Sequence, residues 1–282
     1  MKELLNRRVP AILWVILILI GIPLTIYNLK NQTASSSQAS ESESPQDVKV
    51  TNISNNSFTV TYRTQTPSIG SVNYGPDKQL GTSVLENIDE GNAALSPRTI
   101  HSISLKELTP STKYYLEIVS GDNTFLNNGT PYEITTGPEI SSPFAQENII
   151  KGKIILPNGD APSEAIILVS AQNSQILSGI VNNNGEFSFS LKDLRTDDLT
   201  SYFNITNSTV FNILATDGFS KSSISASLGQ TGFVPTITLS NDYDFTQEVP
   251  PAASKSAQSS GFLLISHTGK KLKPKILNPK SK

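Results

Sequence analysis

Leu108-Thr109-Pro110-Ser111-Thr112-Lys113-Tyr114 has the form L-x-P-x-T-x-Y and leads into the alternation Tyr114, Leu116, Ile118. Proline fixes a bend, and the short polar residues around it favour a turn over regular structure. A tyrosine at the foot of a strand after such a bend can send its hydroxyl back to the corner's backbone, which locks the entry to a sandwich strand. The stretch therefore predicts a structural tyrosine corner made of Leu108, Pro110, Thr112 and Tyr114.

Outward from the corner, apolar residues recur at every second position. Upstream lie Val48 and Val50, then Phe58, Val60 and Tyr62 after the turn Asn55-Asn56-Ser57, then Val72 and Tyr74 closed by Gly75-Pro76-Asp77, then Ile103 and Leu105. Period-two alternation bounded by turn residues predicts half-buried antiparallel strands. With SFTVTY at 57–62 and SVNYG at 71–75, residues 46–137 resemble a fibronectin type III domain, closest to the variety in bacterial surface proteins and ahead of purple acid phosphatases. Tyr62 stands where many members of that family place a tryptophan. No Arg-Gly-Asp motif is present, so the resemblance does not imply integrin-type binding.

PEISSPFAQE at 138–147 interrupts the pattern and reads as a flexible linker that couples its neighbours weakly. Alternation resumes with Ile150, Gly152 and Ile154, then Ile167 and Val169, Phe187, Phe189 and Leu191, Phe211, Ile213 and Ala215, and closes on Ile237 and Leu239. Asn158-Gly159-Asp160, Asn184-Gly185-Glu186 and Asp217-Gly218 supply the positive-φ residues of tight hairpins. This order over 148–240 resembles the carboxypeptidase regulatory-like domain, which implies a small, non-catalytic, transthyretin-like sandwich. The Lys192–Thr209 insertion departs from that family. Its Asp193, Asp197 and Asp198 are the candidate calcium ligands, but no D-x-D-x-D-G spacing is present, and a solvated acidic loop is the plainer expectation.

Ahead of both modules, Val9 to Tyr27 runs 19 residues without a charge, about 28 Å as a helix and close to the ~30 Å bilayer core. Lys2, Arg7 and Arg8 precede it, so the positive-inside rule keeps 1–8 cytoplasmic, places a transmembrane helix at 9–29 and exports the rest. Arg7, Arg8, Trp14 and Tyr27 are the expected anchor residues. A cleaved signal peptide is the competing reading, but no clear A-x-A site follows beyond the weak Thr33-Ala34-Ser35. Ser-rich residues 30–45 form the expected flexible stalk, and 241–282 a Lys-rich, largely disordered tail.

The fold class is thus all-β: two tandem antiparallel β-sandwiches after a single N-terminal transmembrane helix. A charged fraction of 16% in 282 residues, well below the roughly 25% usual for soluble proteins, fits such a body. Residues 31–240 carry 20 acidic and 11 basic side chains, which argues against nucleic acid as a partner. Cysteine is absent and histidine occurs only at His101 and His267, so thiol chemistry is excluded and the usual catalytic bases are nearly missing. His101 shares a face with Ile103 and Leu105 and reads as a strand residue at the sandwich edge. The only tryptophan lies in the membrane span and most tyrosines sit at core-facing positions, so no aromatic platform for sugars is legible.

No catalytic residue, metal or cofactor is assigned. The expectation is a non-catalytic surface protein anchored in the lipid bilayer, whose soluble part is monomeric and whose partner is another protein or an envelope polymer. An accessory subunit of an envelope complex is the alternative, with a carbohydrate-binding module or an unrecognised hydrolase ranked behind it.

Overall fold

The alternating stretches around the tyrosine corner become strands β1 (Gln46–Thr51), β2 (Phe58–Ser68), β3 (Gly70–Gly75), β4 (Thr82–Leu85), β5 (Arg98–Leu105), β6 (Lys113–Ser120), β7 (Asn123–Phe125) and β8 (Tyr132–Thr135). The computed structural model describes residues 41–87, 95–141, 148–227 and 232–246. One sheet runs β1-β2-β5, and the other runs β4-β3-β6, with β7 and β8 pairing successive parts of β6. Phe58, Val60, Ile103 and Leu105 from the first sheet meet Val72, Leu116 and Ile118 from the second, all with no exposed surface. Every pairing in this module is antiparallel. The result is an immunoglobulin-like sandwich of a three-stranded and a five-stranded layer.

Glu41–Glu43 form a short 3-10 turn against this module rather than the free end of a stalk. Thr66 Oγ1 donates to the Ser42 carbonyl at 3.4 Å and Asn123 Nδ2 to Glu43 Oε2 at 3.3 Å. The expected stalk boundary at 45 is therefore too late by several residues.

The second module contains β9 (Ile149–Ile155), β10 (Ile166–Ala171), β11 (Leu177–Ile180), β12 (Glu186–Ser190), β13 (Val210–Thr216), β14 (Lys221–Ser227), β15 (Ile237–Thr238) and β16 (Tyr243–Phe245). Its sheets are β11-β10-β13-β14-β16 and β12-β9-β15. Ile150, Ile154 and Phe187 face Ile167, Ile213 and Ile224 across the core, so this module too is a two-layered β-sandwich. Three sequence expectations change here. β14 pairs β16, and β9 pairs β15, in parallel, so the module is mixed rather than purely antiparallel. β16 lies beyond residue 240, because Tyr243 and Phe245 pack on the core and the Tyr243 hydroxyl accepts from Thr238 N at 3.0 Å. Of the three expected hairpins, only Asp217-Gly218 joins paired neighbours. The Asn158-Gly159 and Asn184-Gly185 turns carry the chain from one sheet to the other, with Gly185 at φ +75°.

Among the described residues no helix is long and apolar enough to cross a membrane. Residues 9–29, with Arg7, Arg8, Trp14 and Tyr27 in or beside them, lie outside those residues, as do His267 and the Lys-rich tail.

Candidate functional site

β10 reads Ile166-Ile167-Leu168-Val169, apolar at four consecutive positions, and all four are buried. Ile167 and Val169 enter their own core, while Ile166 and Leu168 point the other way and pack with Ile100 of β5, together with Ile176 and Leu214. A strand buried on both faces needs a cover for each. Here the first module is the second cover, so the two sandwiches share an apolar seam.

Polar bonds run along the same seam. The Glu164 carboxylate accepts from Thr99 N at 3.0 Å, Thr99 Oγ1 at 3.1 Å and Ile100 N at 3.2 Å. Asn52 donates its backbone N–H to the Ile176 carbonyl at 3.0 Å, and its side-chain oxygen accepts from Ser178 N at 2.9 Å. Ile53 N donates to Gln175 Oε1 at 2.8 Å. Arg195, only 3% exposed, donates from Nη1 to the carbonyls of Pro138 at 2.8 Å and Leu199 at 3.1 Å, and reaches Asn55 Oδ1 from Nη2 at 3.4 Å. Desolvation lowers the Arg195 pKa, with Tyr202 and Asp193 acting against that shift. The expected weak coupling across 138–147 is corrected: side chains and strand edges dock the modules directly, whatever path the linker takes.

At the tyrosine corner Leu108 and Tyr114 are buried, and Tyr114 Oη accepts from Thr109 N at 2.9 Å. Thr112 Oγ1 donates to the Pro110 carbonyl at 2.9 Å. Tyr114→Phe leaves the Thr109 N–H without that acceptor and should cost about 1–3 kcal/mol. Thermal denaturation reads this, and the docked second module should share the loss of stability. An unchanged midpoint would mean that the corner bond contributes nothing.

His101 lies in the edge strand β5, and its ring has no exposed surface. It stacks on its cross-strand neighbour Tyr62 with centroids 4.2 Å apart. Nδ1 lies 2.6 Å from Glu86 Oε1, and Nε2 lies 3.1 Å from Thr64 Oγ1. The other Glu86 oxygen lies 3.1 Å from Arg98 Nε. Burial first, and the Glu86 charge second, push the Tyr62 phenol far above its ordinary value. A Cβ at Gly70 would fall 2.5 Å from the Tyr62 hydroxyl and 2.6 Å from both Glu86 Oε1 and His101 Nδ1, so only glycine leaves room for this cluster.

The three aspartates do not converge. Asp198 folds back, accepting from Thr196 Oγ1 at 2.6 Å, Thr200 N at 3.0 Å and Thr200 Oγ1 at 2.9 Å, bonds that hold its pKa below the ordinary value. Asp193 lies instead beside Arg195 in a cleft between the modules. Among the described residues no three His, Asp or Glu side chains come together as a metal site.

Comparison with known proteins agrees with the first module's layout. Residues 45–136, about a third of the chain, match the model of the purple acid phosphatase N-terminal domain. No curated protein matches the chain. Solved structures similar to it include a computationally redesigned β-sandwich protein at 24% identity, covering 33% of this chain and 94% of that one with a TM-score of 0.21. A two-domain fibronectin type III segment of chicken tenascin has 14% identity, covering 64% and 97% with a TM-score of 0.22. PhoD has 10% identity over 39% of this chain and 21% of its own, with a TM-score of 0.25. From its sheets and its family match, the first module is a fibronectin type III-like β-sandwich, similar to the domain that precedes purple acid phosphatases.

Proposed function

We propose that this chain is a non-catalytic, membrane-anchored, extracytoplasmic binding or scaffold protein, in which two β-sandwiches act as one rigid body. The direct docking of the modules carries this reading. Glu164, Arg195 and the Asn52–Ser178 pair fix two recognition surfaces at a constant separation, which suits a spacer or a composite binding face. In finer detail, the second module, extended to β16, is a carboxypeptidase regulatory-like sandwich and Val9–Tyr27 is the anchor, with the N-terminus inside. The uncharged run behind Arg7 and Arg8 supports the anchor. His101 supports the non-catalytic reading, because its ring is buried behind Tyr62 with both nitrogens engaged.

The protein should remain in the membrane fraction after carbonate washing, with its N-terminus intact by mass spectrometry. It should show no turnover of phosphoesters, peptides or glycosides. A mature N-terminus near Ser35 would overturn the anchor. Turnover abolished by changing a specific carboxylate pair would overturn the non-catalytic assignment.

A further inference from the structure

We infer that the cleft between the Asn52–Ser57 loop and the Ser188–Tyr202 side of the second module binds a neutral oligosaccharide. This deepens the binding reading above and rests on it. The cleft holds about 600 Å³, within the usual range for small-ligand sites. Phe189 and Tyr202, two aromatic rings that the sequence pattern did not set apart, stand in its wall. A sugar ring offers C–H faces rimmed by hydroxyls, so it needs aromatic surface with polar groups set around it.

Those polar groups are present and unspent. Among the described residues, the Asp193 carboxylate, the Ser188 hydroxyl and the Nδ2 amides of Asn55 and Asn56 make no hydrogen bond within the protein, and all four residues line this one cleft. Together they provide both donors and an acceptor. The loop that carries the two amides is held beforehand. Ser54 N donates to the Ser57 carbonyl at 2.8 Å, Leu108 N to the Asn56 carbonyl at 2.9 Å, and Ile53 is tied to Gln175. A ligand therefore meets a site that is already ordered.

Charge narrows the class. The Arg195 guanidinium is engaged by backbone carbonyls, and Asp193 beside it offsets its charge, so the cleft offers no open cation to an acidic polymer. An extended peptide would dock by pairing with a free strand edge. Of the two edge strands at this cleft, β11 is already taken by Asn52, through the Ile176 carbonyl and Ser178 N, while β12 brings Ser188, Phe189 and Ser190 to the wall, so a peptide is the competing occupant that the test must separate.

The test is calorimetric titration of the whole chain in detergent with cellohexaose, xylohexaose, mannohexaose and chitohexaose. At least one should bind. Asn56→Ala and Asp193→Ala, both at exposed side chains, should each weaken that sugar about tenfold while the melting temperature holds. Tyr202→Phe keeps the ring and should retain binding. No association with any of the four up to on the order of 10 mM overturns the inference. So does binding that is indifferent to both alanine variants, or a peptide that binds this cleft when no sugar does. If sugars fail while the protein stays in carbonate-washed membranes and turns nothing over, the scaffold reading stands and only the ligand class falls.

Discussion

Glu86→Ala should destabilise the described body by about 3–5 kcal/mol, the range for removing one partner of a buried charge pair. Glu86 is 1% exposed and faces both the Arg98 guanidinium and the His101 ring, so alanine withdraws the carboxylate around which both are arranged. Glu86→Gln keeps the volume and one acceptor oxygen, and should cost less. For a body of this size the alanine variant should lower the thermal midpoint by roughly 6–20 °C. Differential scanning calorimetry decides it. Equal midpoints for Glu86→Ala and the parent would show that the cluster is incidental to stability.

Arg195→Ala tests the docking itself. The side chain is buried and serves two backbone carbonyls, that of Pro138 where the chain leaves the first module and that of Leu199 in the second module's insertion. Alanine leaves both without those bonds, at a cost of about 1–3 kcal/mol for each buried group left unsatisfied. The parent should unfold in one cooperative transition. The variant should show two, as the sandwiches begin to melt separately. Gly137 makes the same contact from the other side: a Cβ there would fall 2.5 Å from Arg195 Nη1, so Gly137→Ala should reproduce the split in milder form. A single transition in both variants would show that the apolar seam of Ile100, Ile166 and Leu168 suffices without the guanidinium.

Strands and cores were legible in the sequence because period-two alternation responds directly to one buried face. Phe58, Val60, Leu116, Ile150 and Ile213 were all expected inside and are. The seam was less legible. Its signal is the unbroken apolar run Ile166–Val169, of which the period-two pattern used only Ile167 and Val169. Four adjacent apolar residues in a short strand indicate two covered faces. Nothing local to Arg195 or Asn52 announces a bond to a residue more than a hundred positions away. The polar cluster stayed hidden for the same reason, since Glu86 and His101 meet only when β4 runs on toward β5. The candidate sugar cleft is also composite: its amides belong to one module and its aromatic rings to the other.

The seam also sets an order of events during synthesis. Its bonds join residues far apart along the chain, 127 positions for Thr51–Ser178 and 140 for Asn55–Arg195, so they close after the local strand pairs have formed. Ile100 is made 66 residues before Ile166, and at about 5–20 residues per second that is an interval of roughly 3–13 s. Throughout it, the nascent first sandwich carries a hydrophobic patch whose intended cover has not yet been translated. That interval, rather than the finished molecule, is when a sticky neighbour or a helper protein would find this chain.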